Sequence, residues 1–198
     1  MIDLVGRLLP LALAACFAVF LVIIFKGPGR VTGKRDKNPG VVRLGVLLQS
    51  VAYMFPWMFR RSWVNPFGGA ALWPVLLIAL ASLAAALGAI ALAREAKKHL
   101  GRQWALAARV IEGHVLVTDG PFGRVRHPLY LSMGILQLAA VIGLASPIGA
   151  ALTAGLFGWG TALRVRAEDR LLAETFGREF EEYRRRVPAF FPRFKHMD

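Results

Sequence analysis

The amino-acid sequence predicts an all-α integral membrane protein: five transmembrane helices, the last two a C-terminal helical hairpin, with a cytoplasmic motif loop and an amphipathic C-terminal helix. Three observations carry this expectation. The chain is 56% hydrophobic and only 19% charged, against about 25% charged in an average soluble domain. Its charges are bunched, and long uncharged runs lie between the bunches. The basic residues also fall almost entirely on one side of the topology that those runs define.

Four apolar stretches are visible: 8–25, 44–59, 70–93 and 128–163. The first and third are long enough to cross a hydrocarbon core of about 30 Å at about 1.5 Å per residue. Leu13-Ala14-Ala15-Cys16 has the look of a lipoprotein processing box. Too few apolar residues precede Cys16 to make a signal core of about 7–15 residues, and the run continues to Phe25. A retained helix is therefore expected. The second stretch is short and carries Pro56 near its end, so an irregularity is expected there. The last stretch has 36 residues without a charge; as one helix it would run about 54 Å, more than any bilayer core. Ser146-Pro147 sits in its middle, where proline stops a continuing helix. Two short helices, Leu129 to Ala145 and Ile148 to Leu163, forming a hairpin are the consequence.

With the N-terminus outside, 22 of the 25 Lys and Arg residues fall on one side, leaving Arg7, Arg60 and Arg61 on the other. That asymmetry places the C-terminus and the basic loops in the cytoplasm. It also accounts for the net charge of +13 without nucleic acid, for which no recognition motif is present. No repeat or low-complexity linker divides the chain, so a single membrane domain over 1–198 is expected, with three N-terminal spans in 1–93 and the loop, hairpin and tail in 94–198. In the tail, 164–187, Val165, Leu172, Phe176, Phe180, Tyr183 and Val187 recur at helical steps, with an interruption expected near Gly177. Such a helix suits a bilayer surface or packing on the cytoplasmic loop.

A hairpin returns both of its ends to one membrane face. Arg126 and His127 at its start therefore approach Arg164 at its end, and Arg164 shares a helix face with Glu168 four residues on. His127, Tyr130, Arg164 and Glu168 form a candidate site for a polar ligand of mixed charge at the lipid–water boundary. Each has an ordinary alternative: interfacial anchors for Arg126 and Arg164, a helix start for His127, an aromatic belt for Tyr130, a surface ion pair for Glu168. No metal site is expected, because Cys16 is alone and His99, His114, His127 and His196 lack ligand spacing.

The series Leu100-Gly101-Arg102-Gln103-Trp104, His114-Val115-Leu116-Val117-Thr118-Asp119-Gly120-Pro121-Phe122 and Val125-Arg126-His127-Pro128-Leu129-Tyr130 resembles the isoprenylcysteine carboxyl methyltransferase family. The tail continues the resemblance through Arg164, Glu168-Asp169, Phe176-Gly177, Tyr183 and Val187-Pro188. It covers about residues 95–195 with motif order and spacing preserved. The resemblance implies a prokaryotic integral membrane enzyme using S-adenosyl-L-methionine in a cytoplasm-facing pocket. His114, Val115, Leu116, Val117, Phe122, His127, Pro128, Leu129, Tyr130 and Glu168 would line the cofactor, and Arg164 would stand closest to the methyl acceptor. The chain departs from the family at Phe122, often tyrosine there, at Ala105, often serine, and at Glu168-Asp169, usually paired glutamates. The partners implied are the bilayer and a lipophilic or amphiphilic acceptor, foremost an isoprenoid-type carboxylate. A phospholipid amine, a small thiol, a nicotinamide-dependent reductase related to sterol reductases, and a scaffold without turnover stand as alternatives.

Overall fold

The computed structural model describes residues 2–26, 34–35, 38–61, 72–104, 109–110, 113 and 115–191. Helix α1 runs Ile2–Phe25 and passes through Pro10. Its start lies ahead of the apolar run, because a charge such as Arg7 marks the edge of lipid without breaking a helix. A two-residue antiparallel pairing follows, β1 (Lys34–Arg35) with β2 (Arg109–Val110), which ties the connection after α1 to the loop after α4 (Leu72–Leu100).

The second apolar run is irregular where expected. Helix α2, Pro39–Ala52, begins with proline in its first turn, where the missing N–H is harmless. It breaks at Tyr53-Met54 before the four-residue α3, Phe55–Met58. Pro56 has no N–H to give to the carbonyl of Ala52, four residues back. The Gln137 side chain replaces it, its Nε2 donating to Ala52 O at 2.8 Å. In lipid such a repair from a neighbouring helix is what allows an interior proline.

The predicted hairpin is present. Helix α5, Pro128–Leu144, and helix α6, Pro147–Phe176, are joined at Ala145-Ser146. Ser146 caps α6, its Oγ accepting from Gly149 N at 3.3 Å, and Pro147 occupies the first turn. One boundary is corrected. The second helix does not end at Leu163 and hand over to a separate tail helix; α6 is continuous for 30 residues. Charges begin at Arg164, but nothing in 164–176 interrupts a helix. The break comes at Gly177, whose φ of 52° is a conformation that favours glycine, and α7 follows as Arg178–Arg186.

Four segments are long and apolar enough to cross a membrane: Leu4–Phe25, Pro39–Met58, Leu72–Leu100 and Pro147–Phe176. Helix α5 is apolar but shorter, 17 residues, or about 25 Å. The architecture is that of a helical integral membrane protein. Helix α4 is its centre, with Ala79, Ser82, Ala86, Ala89, Ala93 and Ala96 buried at helical spacing. These small side chains let α1 and α5 pack closely on it. Helix α2 packs on α6 instead. Gly45 and Gly160 meet there so closely that a Cβ on Gly160 would lie 2.7 Å from Gly45 O.

Contacts at the helix ends set the two sides. Phe59 O accepts from Ser146 N, and Arg61 N donates to Leu144 O, both at 2.8 Å. At the opposite end, Lys97 Nζ donates to Ile23 O and Lys26 O, and Trp104 Nε1 donates to Ile24 O at 3.2 Å. The last carbonyls of α1 are thereby held by α4 and the loop that follows it.

Candidate active site

The two ends of the hairpin meet as its geometry requires. The guanidinium carbon of Arg164 lies 4.9 Å from the centroid of the Tyr130 ring, a cation–π arrangement. Glu168 neighbours the Tyr130 hydroxyl. Both Arg164 and Tyr130 are buried, so the interfacial-anchor and aromatic-belt alternatives do not describe them.

His127 is 3% exposed and holds the N-cap position of α5, though its side chain caps nothing. Its Nε2 is 2.9 Å from Asp169 Oδ1. An ionised carboxylate only accepts, so Nε2 donates in this contact. The ring's Nδ1 is buried with no hydrogen-bond partner among the described residues. Arg126 holds the same carboxylate, Nη2 donating to Asp169 Oδ2 at 3.1 Å, while its Nη1 donates to Arg184 O and Val187 O. Asp169, counted at first only as half of an acidic pair, therefore fixes both the ring and the entry of the chain into α5. The His127 ring stands between Tyr130 and Phe190, at centroid distances of 5.8 and 6.0 Å.

The motif loop is packed against the tail. Leu116 clusters with Phe180, Tyr183 and Val187, which assigns the tail's apolar face to the loop. Tyr183 donates its hydroxyl to Phe122 O at 2.7 Å. Burial pushes the Tyr183 phenol well above its usual value, which keeps it a donor. Phe122, Val117 and Leu129 pack into the main core, and Pro128 is fully buried. Val115 is exposed, its N–H donating to Gln103 Oε1 at 2.7 Å. His114 lies outside the described residues.

Beside the hairpin is a cavity of about 490 Å³ walled mainly by α1 and α2. Phe17, Phe20, Ile24, Tyr53, Trp57 and Met133 make it apolar, and Gln49 and Arg164 are polar members of its wall. Gln49 is buried and bonded twice. Its Oε1 accepts from Arg164 Nη1 at 2.6 Å, and its Nε2 donates to Thr161 Oγ1 at 2.8 Å. A Cβ on Gly45, one turn before, would lie 2.6 Å from Arg164 Cγ. Sequence reasoning missed Gln49 and Gly45. The available signal was a glutamine within an apolar run, since polar groups in lipid need partners.

Arg164 thus touches the apolar cavity, while Tyr130, Glu168 and His127 continue from it toward the motif loop. Apolar helices around a polar cluster of this kind, four of them long and apolar enough to cross a membrane among the described residues, are those of a helical integral membrane protein. Residues 78–174 match the sequence model of the isoprenylcysteine carboxyl methyltransferase (ICMT) family. Protein-S-isoprenylcysteine O-methyltransferase B of Arabidopsis thaliana is 29% identical over 177 residues, which cover 87% of this chain and 84% of that protein. The cobalt-zinc-cadmium resistance protein CzcN of Cupriavidus metallidurans is 38% identical over 135 residues, covering 67% of this chain and 52% of the relative. The nickel-cobalt-cadmium resistance protein NccN of Alcaligenes xylosoxydans xylosoxydans is 38% identical over 101 residues, covering 48% and 44%. The chain spans about half the length of these two resistance proteins. Through residues 78–174 it belongs to the ICMT-like family.

Proposed function

We propose that the protein is a membrane methyltransferase that uses S-adenosyl-L-methionine to methylate the carboxylate of an isoprenoid-type amphiphile. The observation that carries this reading is the contiguity of an apolar cavity with buried Arg164 and Tyr130 and half-buried Glu168, which lead on to the motif loop. Similarity to isoprenylcysteine methyltransferases supports the same chemistry.

The residues fit the cofactor. His127 Nδ1, buried and unpartnered among the described residues, is open to a hydrogen-bonding group of the cofactor. Glu168 offers a carboxylate to an ammonium or a ribose hydroxyl, and Tyr130 an aromatic face to a sulfonium. His114 to Val117, Phe122, Pro128 and Leu129 complete the surroundings in this reading. When bound, S-adenosylmethionine supplies a methyl group on a sulfonium, which departs as a neutral thioether.

The chain's own part is positioning. The cavity takes the apolar tail and removes it from water. Arg164 draws the acceptor carboxylate to the cluster by a charge-assisted contact. An ionised carboxylate is already the nucleophile and needs no base, so holding both reactants in line supplies much of the rate. A protonated amine would meet Arg164 as a like charge, which favours the carboxylate reading. In this proposal the chain is one domain with five spans, and the basic ends of α1, α4 and α6 face the cytoplasm.

Calorimetry with S-adenosylhomocysteine tests it. The wild type binds, and Glu168→Ala and Tyr130→Ala each weaken binding about tenfold, the scale of one lost buried hydrogen bond or cation–π contact. Unchanged affinity in both variants refutes the site, and no binding by the wild type refutes the reaction. Arg164→Ala should bind the cofactor product yet lose methyl transfer. A reporter fused after Asp198 should read cytoplasmic.

A further inference from the structure

We infer that Gln49, which lies on α2 outside the family-matched segment, determines the acceptor's head group by orienting Arg164 and adding a second donor beside it. The inference rests on the methyltransferase reading and deepens it.

Start with the amide. A glutamine side chain has two N–H donors and one carbonyl acceptor, and which way it faces depends on its partners. Here Thr161 Oγ1 takes one N–H at 2.8 Å, so the carbonyl is turned to Arg164, which donates from Nη1 at 2.6 Å. Gln49 is 4% exposed and Arg164 7%, so little water competes. The Tyr130 ring, 4.9 Å from its centre, and the Gln49 carbonyl along its edge therefore both act on where the guanidinium lies.

Helix α2 is shaped for this contact. At Gly45, one turn before Gln49, a Cβ would lie 2.6 Å from Arg164 Cγ and 2.9 Å from Gly160 O. The absent side chain leaves the notch through which the arginine stem passes. Glycine makes room for the stem, and glutamine receives the head.

The second consequence concerns the cavity. Gln49 and Arg164 both line it, among Phe17, Phe20, Tyr53 and Trp57. The second Nε2–H of Gln49 has no partner among the described residues. An oxyanion lying against this wall meets an amide N–H and a guanidinium together, donors only, at the head of an apolar enclosure. Such a pair selects a carboxylate over its uncharged amide and over a cation. Leucine at position 49 removes both the donor and the carbonyl that Arg164 Nη1 bonds. Glutamate would pair with Arg164 and repel an anion.

The test is binding, so it does not depend on turnover. The full chain is placed in lipid nanodiscs with saturating S-adenosylhomocysteine, and dissociation constants are measured for N-acetyl-S-farnesylcysteine and for its carboxamide. The wild type is expected to prefer the carboxylate by about tenfold or more, the scale of a charge-assisted hydrogen bond. Gln49→Leu should bring that ratio to near unity, and Gln49→Glu should invert it. S-adenosylhomocysteine affinity, titrated separately, should stay within about twofold in both, as expected of a residue that does not touch the cofactor. A wild type without preference, or variants that keep the wild-type ratio, overturns the inference while leaving the methyltransferase reading intact. Loss of cofactor affinity in parallel with the ratio also overturns it, because Gln49 would then be holding the fold. A wild type that prefers the carboxylate but binds no S-adenosylhomocysteine overturns the methyltransferase reading instead.

Discussion

Replacing Gly45 with alanine should separate α2 from α6, and the size of the effect can be worked from the contacts. The new Cβ would lie 2.6 Å from Arg164 Cγ, 2.9 Å from Gly160 O and 3.4 Å from Arg164 Cδ. Carbon contacts are comfortable at about 3.5–4.0 Å. The arginine stem can yield, but the Gly160 carbonyl is helix backbone, so the helices must part by roughly half an ångström or more. Overpacking of this kind costs about 1–3 kcal/mol. The 2.6 Å bond from Arg164 to Gln49 crosses the same seam and lengthens with it. Gly45→Ala should therefore lower the folded-to-unfolded ratio in detergent by about fivefold to 150-fold. It should raise KM for the acceptor more than it weakens S-adenosylhomocysteine. The assays are unfolding in mixed detergent micelles and a labelled-methyl transfer titration. Wild-type stability together with wild-type KM would refute the view that this glycine makes room for Arg164.

Three other outcomes follow from specific contacts. Asp169→Asn weakens the hold on Arg126 and His127 and should cost about 1.5–3 kcal/mol, as for hydrogen bonds to charged groups; hydrogen exchange at the start of α5 should rise with it. Tyr183→Phe leaves Phe122 O without its buried donor and should cost about 1–3 kcal/mol, read as faster proteolysis of the motif loop. Gln137→Leu orphans Ala52 O and should destabilise by about 1–3 kcal/mol. Pro56→Ala, which restores an N–H to that carbonyl, should remove most of the penalty in the double mutant.

How much of this was legible beforehand depends on the kind of signal. The hairpin was, because a 36-residue charge-free run with Ser146-Pro147 at its centre has one geometric solution in a bilayer. The meeting of Tyr130 with Arg164 and Glu168 followed from it. Helix boundaries were misread wherever charge and helix end do not coincide: α4 continues to Leu100 and α6 to Phe176, well past the onset of arginines. Composition reports the edge of lipid, whereas helices stop where backbone conformation changes, as at Gly177. The role of α2 was not legible. Gln49 and Gly45 bear no local pattern, and their meaning comes from Arg164, more than a hundred residues away along the chain. The cavity depends on α1 and α2 packing on different partners, which is a tertiary fact.

The unbroken α6 has a mechanical consequence. It carries Thr161 against Gln49, Arg164 at the cavity, and Glu168 and Asp169 further along on one stiff rod, with the first joint at Gly177. A change in bilayer thickness or helix tilt moves these four side chains together and leaves their spacing alone. Helix α2 travels with them through Gly45 and Gln49, whereas α1 is lashed at its end to Lys97 and Trp104. The two main walls of the cavity therefore belong to different partners, α2 to the α6 rod and α1 to α4. In the proposed reaction, a wider acceptor tail would part α1 from α2 and leave the spacing of the groups on α6 unchanged.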